Sequence, residues 1–195
     1  MKQVLTVGHS THPLAELVAL LARHDAKALA DVRRHPGSRR LPHVNREVLA
    51  RELPAAGIAY EHLPELGGRR RPRCDSLNRG WNVEAFRGYA DHMDSEEFAA
   101  GLERLEDLAA GRRTAVMCAE GLWWRCHRRL VADALVARGW RVLHIAPDGR
   151  LADHELPDFA VVEGRRVSYP PAQGELAPLG PQPRAGGRRS RSHRD

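Results

Sequence analysis

The sequence predicts an α/β protein, a three-layer sandwich in which helices cover both faces of a mostly parallel sheet of about five strands. Short apolar runs, typical of buried strands, alternate along the chain with amphipathic patterns that are typical of helices. Glycine or capping residues lie at several boundaries between them. Because a helix between consecutive strands lets those strands run parallel, the alternation itself indicates the type of sheet.

The predicted elements follow one another in regular order. Pro13 favours the first turn of the first helix, and Asn45 and Ser95 are the expected caps of two later helices. Gly57 is the expected end of the second helix, and the length of the Gly-, Arg- and Pro-rich loop at 64–82 indicates a function. The strands are expected at 3–8, 27–33, 58–63, 113–119 and 141–146. The helices are expected at 13–24, 45–57, 84–93, 95–111 and 124–139.

Bulk properties predict a single domain at 1–169, followed by a mobile tail at 170–195 that is rich in Pro, Gly and Arg. The formal charge is +6, and much of the excess lies in that tail. The absence of an export signal and of an apolar run of about eighteen residues leads us to expect a cytoplasmic protein that does not span a membrane. Three cysteines in such a protein predict free thiols and no disulfide framework.

Polar residues directly follow several of the predicted strands. In parallel α/β sheets the carboxyl ends of the strands meet at one edge, and ligands bind there. Four groups are therefore expected to converge, at residues 8–10, at residues 31–33, at His62 and at residues 118–120. This pattern predicts a binding site whose members lie far apart in the sequence.

The segment 116–130, "VMCAEGLWWRCHRRL", gathers many polar groups at one of these strand ends. A helix that begins there offers free backbone N–H groups and a positive dipole end, which favour a phosphate or carboxylate ligand. Trp123 and Trp124 are expected to stack on a base or to wedge into a duplex, and cover of the core is the alternative for one of them. The predicted contacts to the anion are Arg125, His127 and Arg128.

Cys118 and Cys126 are the candidate thiols of this segment. A thiol between a strand and a helix N-terminus is expected to have a lowered pKa, which makes Cys118 a candidate nucleophile. Cysteine phosphatases and rhodaneses need a tight loop of small residues, whereas this loop holds a leucine and two tryptophans, and plain burial is the alternative for both thiols. Because Cys126 and His127 are adjacent, they are expected to point apart on a helix, so neither a zinc site nor a cofactor is predicted.

The polar residues at the ends of the first two predicted strands each have a structural and a functional interpretation. His9 either orients a substrate or supports a neighbouring group, and Ser10 either caps the next helix or contacts substrate. Asp31 and Arg33 share one face of an extended strand, where they form either an ion pair or part of a catalytic site. Two arginines in the polar loop that follows are candidate phosphate contacts, Arg39 and Arg40.

Six segments of the chain resemble a known protein family. They are "TVGHST", "LADVRRHPGSRR", "GIAYEHLPELGG", "NRGW", "FRGYADHM" and "MCAEGLWWRCHRR". In this order they resemble the bacterial and archaeal domain of unknown function family 488, in particular members with MCAE followed by WWRCHR. Val44, Cys74 and His92 depart from the usual pattern of that family. The resemblance implies a flavodoxin-like or Rossmann-like sheet.

The resemblance also implies an activity, since members of this family have been linked to removal of 5-hydroxymethyluracil from DNA. The leading hypothesis is a monofunctional DNA glycosylase that acts on a modified pyrimidine without a cofactor. Asp31 or Glu120 would stabilise the charge that develops on the sugar and position water, and His9 would orient the water or the base. Arg33, Arg125 and Arg128 would hold the phosphates or the oxygens of the departing base after the nucleotide is flipped into the site.

Two other hypotheses stay open from the sequence. One is a cysteine-dependent enzyme, phosphatase-like or sulfurtransferase-like, in which Cys118 attacks a small anionic substrate. The other is a non-catalytic module that binds DNA, RNA or a nucleotide. Lys2 and Lys27 are the only lysines and lie outside the strand-end segments, so a lyase step through a Schiff base is not expected.

Overall fold

The computed structural model describes residues 2–171, which form eight strands and five α-helices. The strands are β1 Gln3–Gly8, β2 Ala28–Asp31, β3 Ala59–His62, β4 Thr114–Cys118, β5 Arg141–Ile145, β6 Leu151–Asp153, β7 Val161–Glu163 and β8 Arg166–Ser168. The helices are α1 Leu14–Arg23, α2 Arg46–Ala55, α3 Glu84–His92, α4 Glu96–Gly111 and α5 Arg128–Ala137.

The first six strands form one sheet in the order β3-β2-β4-β1-β5-β6. The five strands from β1 to β5 run parallel to one another, and β6 pairs antiparallel with β5. A separate antiparallel pair is formed by β7 and β8. The predicted α/β architecture with a mostly parallel sheet is confirmed. Its strand order differs from 2-1-3-4-5 in flavodoxin and 3-2-1-4-5-6 in Rossmann folds because β4 lies between β1 and β2.

Hydrophobic cores on both faces of the sheet confirm the three layers. Along β1, Val4 packs into one core, whereas Leu5 and Val7 pack into the other, as the alternation of side chains along a strand requires. Helices α3, α4 and α5 contribute to the core of Val4, and helices α1 and α2 contribute to the second core. Both faces of the central strands are therefore covered, which explains their continuous apolar sequences.

Local signals in the sequence set several helix ends. Ser95 caps α4 as predicted, because its Oγ accepts a hydrogen bond from Phe98 N at 3.1 Å. Gly57 follows α2 with a positive φ of 77°, a conformation that other residues rarely adopt. The prediction for Asn45 is wrong in detail, since this residue precedes α2 but its Oδ1 accepts from Ser38 N at 2.6 Å instead of capping the helix.

The polypeptide between β4 and α5 departs from the predicted helix at 124–139. Trp123–Arg125 forms a separate 3-10 turn, and Cys126 after it is extended with φ −123° and ψ 147°. The α5 helix then begins at Arg128. Residues 123–127 thus form a bent loop over the carboxyl edge of the sheet, which decides where their side chains lie.

The loop at 64–82 is ordered by one buried carboxylate. Asp91 of α3 accepts hydrogen bonds from Arg73 N at 2.8 Å, Ser76 Oγ at 2.7 Å and Asn78 Nδ2 at 2.9 Å. Asn78 Oδ1 in turn accepts from Tyr169 N at 3.0 Å. These bonds connect the loop to α3 and to the segment after β8, so the loop has a fixed path despite its length.

A second buried polar group, called the Asp133 network, lies between α5, β1, β5 and the segments after β6 and β8. His154 Nε2 and Tyr169 OH donate to the two oxygens of Asp133 at 2.7 and 2.5 Å. His144 Nε2 donates to His154 Nδ1 at 2.9 Å, and Thr6 Oγ1 donates to His144 Nδ1 at 2.6 Å. Because the carboxylate only accepts, this arrangement of protons on two neutral imidazoles satisfies every member of the network.

Two predictions concern regions beyond the sheet and its helices. Within residues 2–171, no helix combines the length and the apolar character needed to cross a membrane. The predicted boundary at 169 is followed by only Pro170 and Pro171 in the described part of the chain. The rest of the predicted tail at 170–195 lies outside the described residues and stays a prediction.

Candidate functional site

A cleft lies at the carboxyl edge of the sheet, beside the ends of β1, β2 and β4. Backbone pairing continues past the strands there, since His9 N donates to Cys118 O and Ser10 N donates to Ala119 O, both at 3.0 Å. Two adjoining cavities of about 300 Å³ and about 510 Å³ form the cleft. Their volumes suit a small organic ligand or part of a larger one. Both cavities are lined by Arg69, Cys118, Ala119 and His127.

Cys118, Cys126 and His127 form a compact group in the wall of the cleft, called the cysteine cluster. The two sulfur atoms are 2.8 Å apart, and His127 Nδ1 lies 3.8 Å from the sulfur of Cys118 and 3.6 Å from that of Cys126. His127 Nε2 donates to Val32 O at 3.2 Å. The prediction that Cys126 and His127 point apart is wrong, because both residues precede α5 and Cys126 is extended.

The cysteine cluster favours loss of a proton from one particular sulfur. Cys126 donates a hydrogen bond to Cys118, and this bond, with a smaller contribution from His127, holds the pKa of Cys118 well below its usual range. Burial, followed by the neighbouring Cys118, raises the pKa of Cys126. A lowered pKa at Cys118 was predicted, but its main cause is Cys126 rather than the end of a helix.

Asp31 lies beneath the cleft and is fully buried. Its Oδ1 accepts from Arg33 N at 3.1 Å and from Arg33 Nε at 2.8 Å. Its Oδ2 accepts from Arg33 Nη2 at 2.6 Å and from Tyr60 OH at 2.8 Å. With both oxygens occupied and no exposure, Asp31 does not reach a ligand in the cleft. The catalytic role predicted for Asp31 is therefore wrong, and this carboxylate instead holds Arg33 in position.

His9 and His62 also support Arg33. Arg33 Nη1 donates to His9 Nε2 at 3.2 Å, and His9 Nδ1 donates to the carbonyl oxygen of Ser10 at 2.9 Å. Burial, and then the charge of Arg33, lower the pKa of His9, so its ring is neutral. His62 Nε2 donates to Arg33 O at 2.8 Å. Because both ring nitrogens of His9 are occupied, its predicted contact with water or base is replaced by a structural role.

Glu120 is the carboxylate that lines the cleft. It is exposed, and its Oε1 accepts a long hydrogen bond of 3.4 Å from Leu122 N. Arg128, by contrast, is only 1 % exposed and donates to the carbonyl oxygens of Glu120 and Gly121. The predicted phosphate contact at Arg128 is therefore wrong, since this guanidinium fixes the loop that carries Glu120.

Arginines give the cleft a positive charge. Arg39 and Arg40, the predicted phosphate contacts, are exposed but line neither of its two cavities. Arg125 is exposed and lines the same cavity as Glu120, and its contact with a phosphate stays a prediction. The arginines that do line the cleft are Arg33, Arg34, Arg69 and Arg125.

The backbone around the cleft adopts conformations that are unusual outside glycine. Ser10 has a φ of 47° and Arg69 a φ of 62°, and both residues line the larger cavity. Ser10 makes no cap to α1, so the structural alternative for its hydroxyl is excluded. A methyl group added to Gly8 would lie 1.9 Å from the carbonyl oxygen of Glu120. Such strained or closely packed backbone is typical of sites whose geometry matters for function.

Comparison with known proteins places the chain in a family. The sequence model for the domain of unknown function DUF488 matches residues 13–135, more than half of the chain. The chain belongs to the DUF488 family. No curated protein and no solved structure matches the chain. The matched part of the DUF488 domain contains Asp31, Arg33, Glu120 and the cysteine cluster, whereas His9 and Ser10 precede it.

The two adjacent tryptophans of this DUF488 domain have different environments. Trp123 stacks on His144 with ring centroids 4.0 Å apart and planes 5° from parallel, so it covers the Asp133 network. Trp124 is 48 % exposed. Neither side chain lines the two cavities. Trp123 covers the core, which was the alternative to stacking on a base. Trp124 is left as the exposed aromatic ring next to Arg125.

Several cleft residues of the DUF488 domain were not predicted. Arg34 and Arg69 line the cleft, and so does the half-buried ring of Phe86. The loop at 64–82 approaches so closely that a methyl group on Gly68 would lie 2.7 Å from His127 Nδ1. The length and arginine content of this loop were the available signal, although its sequence does not reveal which strand end it contacts.

Proposed function

We propose that this protein is a monofunctional DNA N-glycosylase that removes a modified pyrimidine such as 5-hydroxymethyluracil. The observation that carries the proposal is the composition of the cleft, where Arg69 and Arg125 line the same cavity as the carboxylate Glu120, and Arg33 and Arg34 line the adjoining cavity. Cleavage of a glycosidic bond passes through a transition state with positive charge on the sugar, which a nearby carboxylate stabilises. Arginines suit the phosphates on either side of that sugar.

The larger cavity is the proposed place for the flipped nucleotide. Its volume of about 510 Å³ lies in the range of pockets for small organic ligands. Phe86 offers an apolar ring on one side, and Glu120 lies in the same cavity. Extrusion of a nucleotide costs a few kcal/mol and least for a damaged or mispaired base, so the cleft would select such bases.

Arg33 is the arginine with the most restricted position in the proposed site. Asp31 accepts from two nitrogens of its guanidinium, Val44 O also accepts from Nη2, and Nη1 contacts His9. One N–H of Nη1 is therefore left for a phosphate, and the side chain loses little freedom when it binds one. Asp31 and His9 are therefore positioning residues in the proposal, and Glu120 is the proposed catalytic residue.

The positions of the two lysines support a monofunctional enzyme. Lys2 directly precedes β1, and Lys27 directly precedes β2, so both lie at the amino edge of the sheet. The cleft lies at the opposite edge, beside the carboxyl ends of these strands. Water is therefore the proposed nucleophile, since no lysine of the chain is placed to form a Schiff base.

The proposal is tested with a DNA duplex that contains one 5-hydroxymethyluracil, with the released base measured by mass spectrometry under single-turnover conditions. Glu120→Gln is expected to lower the rate by about 10²- to 10⁴-fold, the range for loss of a positioned acid or base, while duplex binding persists. Glu103→Gln, which changes an exposed carboxylate on α4, is the matched control. The proposal fails if an excess of protein releases no base from a panel of modified-pyrimidine duplexes. Tight binding without release would identify a binding module instead.

A second candidate function follows from Cys118. Cys118 lines both cavities among arginines, and the hydrogen bond from Cys126 holds the pKa of Cys118 well below its usual range, so the more acidic of the two thiols lies beside a cleft that attracts anions. A cysteine-dependent enzyme acting on a small anionic substrate would use this thiolate as nucleophile. Turnover of such a substrate that is lost in Cys118→Ser but kept in Glu120→Gln would favour this candidate over the glycosylase.

A further inference from the structure

We propose that Cys118, Cys126 and His127 bind one divalent metal ion that prefers sulfur and nitrogen ligands, with zinc as the expected metal. The inference is independent of the glycosylase proposal, since it rests on the cysteine cluster alone. The three ligand atoms lie within 4.8 Å of one another. Two thiolates and one imidazole are ligands that zinc prefers and that magnesium and calcium do not.

The distances in the cysteine cluster are close to those of a zinc site. Tetrahedral zinc with bonds of about 2.3 Å to sulfur and about 2.0 Å to nitrogen requires sulfur–nitrogen separations of about 3.5 Å. The observed separations from His127 Nδ1 are 3.6 and 3.8 Å. The two sulfurs, now 2.8 Å apart, need to separate to about 3.8 Å, a movement of about 1 Å.

His127 has the hydrogen-bonding pattern of a metal ligand. Its Nε2 donates to the backbone oxygen of Val32, which leaves the lone pair of Nδ1 directed towards the sulfurs. Histidines that bind metals almost always donate their other ring N–H to a carboxylate or to a backbone carbonyl, which fixes the tautomer. The ring is also held in place by Tyr89, whose ring centroid lies 5.1 Å from its own.

A metal ion would resolve a conflict of charge between the two sulfurs. Without a cation, the sulfurs cannot both be ionised at a separation of 2.8 Å, so Cys126 keeps its proton and shares it with Cys118. A divalent ion takes the place of this proton. If both thiols start protonated, binding converts them to thiolates and releases two protons, and if Cys118 is already ionised, it releases one. Because protons are released, the affinity for the metal increases with pH.

The fourth coordination position would open to the cleft, because Cys118 and His127 line both cavities. Three protein ligands with one open position are typical of catalytic zinc sites, whereas structural sites have four protein ligands. A metal-bound Cys118 is not free to attack a substrate. Metal binding and the second candidate function therefore make opposite predictions for the same thiol.

The test uses the full chain, freed of metal and kept reduced, titrated with cobalt(II) as a spectroscopic substitute for zinc. One equivalent of cobalt is expected to produce a near-ultraviolet thiolate band and visible bands of tetrahedral cobalt, and zinc is expected to remove both. Cys74→Ser, which changes an exposed cysteine outside the cluster, is expected to bind as the unaltered chain does. Cys118→Ala, Cys126→Ala and His127→Ala are each expected to weaken binding at least by the about 10- to 100-fold that loss of an outer-shell partner costs.

A second measurement avoids the risk that alanine at a buried position unfolds the chain. In the unaltered protein, zinc is expected to protect Cys118 and Cys126 from alkylation, while Cys74 reacts at the same rate with and without the metal. The inference is overturned if the folded, reduced protein gives no thiolate band with cobalt, or if the alanine variants bind as tightly as the Cys74→Ser control. Formation of a Cys118–Cys126 disulfide in a protein that binds no metal after reduction would overturn it in favour of a redox pair. No DNA is present in either measurement, so failure of the glycosylase proposal leaves this test unaffected.

Discussion

The Asp133 network and the cysteine cluster both combine histidine with ionisable partners, yet they differ in how completely their polar atoms are paired. In the Asp133 network every ring nitrogen has a partner within 2.9 Å, and Trp123 covers it. In the cysteine cluster, His127 Nδ1 faces two sulfurs at 3.6 Å or more, beside an open cleft. A fully paired polar group stabilises a fold, whereas an incompletely paired group next to a cavity is available to a ligand.

The same difference in hydrogen bonding separates the two carboxylates that the sequence indicated as catalytic candidates. Asp31 is buried with four hydrogen bonds from Arg33 and Tyr60, while Glu120 is exposed and has one long bond to Leu122 N. Asp31 is the last residue of β2 and Glu120 follows β4, and both strands end at the same edge of the sheet. Their different pairing is the reason that Glu120 is the proposed catalytic residue.

The largest expected effect is the loss of stability on removing the centre of the Asp133 network. Asp133→Ala leaves His154 Nε2 and Tyr169 OH buried without an acceptor, which is expected to lower the free energy of unfolding by about 3–5 kcal/mol. Asp153→Ala removes an exposed carboxylate of β6 that pairs with Arg141 at the surface, and it is expected to leave the free energy of unfolding nearly unchanged. Urea unfolding measures both, and similar losses in the two variants would remove the distinction between paired and exposed groups.

The next largest effect is a dependence of stability on pH that originates in the Asp133 network. Burial, with smaller contributions from His154 and Arg128, lowers the pKa of His144 to about 2 from its usual 6.5. The unfolded chain therefore binds a proton that the folded chain rejects, so stability present above pH 6.5 is lost as the pH falls towards 2. The slope for one such group is at most about 1.4 kcal/mol per pH unit.

Urea unfolding at several pH values between 7 and 4 measures this slope. His144→Asn is expected to flatten it, and His35→Asn, which changes an exposed ring, is the matched control. An identical slope in His144→Asn and the unaltered chain would show that the ring is not the group that resists protonation.

The smallest expected effect on stability comes from the cysteine cluster. Cys118→Ala removes one sulfur whose side-chain partners are Cys126 and His127, and it is expected to cost about 1 kcal/mol in the metal-free protein. Cys74→Ala at an exposed position is the control. If Cys118→Ala costs as much as Asp133→Ala, the cluster is a structural support and its contrast with the network disappears.

The arrangement of strand ends could be predicted from the sequence, because parallel strands joined by helices must end at a common edge. That rule brought His9, Arg33 and Cys118 together correctly. It does not give the direction of a side chain or the number of its partners. The roles of Asp31 and Arg128 were therefore missed, since each is decided by hydrogen bonds to groups distant in the sequence.

The cysteine cluster shows a second limit of the sequence. Cys126 and His127 were assigned to a continuous helix, in which neighbours diverge by about 100°. The 3-10 turn at Trp123–Arg125 and the extended Cys126 change those directions, so both side chains reach Cys118. Helix boundaries are the least certain part of a sequence-based assignment, and here a shift of four residues conceals a set of three ligand atoms.

Gly8 controls the geometry of the proposed catalytic loop although it offers no side chain to any ligand. The carbonyl oxygen of Glu120 occupies the space where every other amino acid would place its first side-chain carbon. A chain with alanine here would retain Glu120, the arginines and both cysteines, but its β4–α5 loop would be displaced from β1. Sequence surveys that score only chemically reactive positions would count such a chain as active, so this glycine belongs among the positions used to recognise a working cleft.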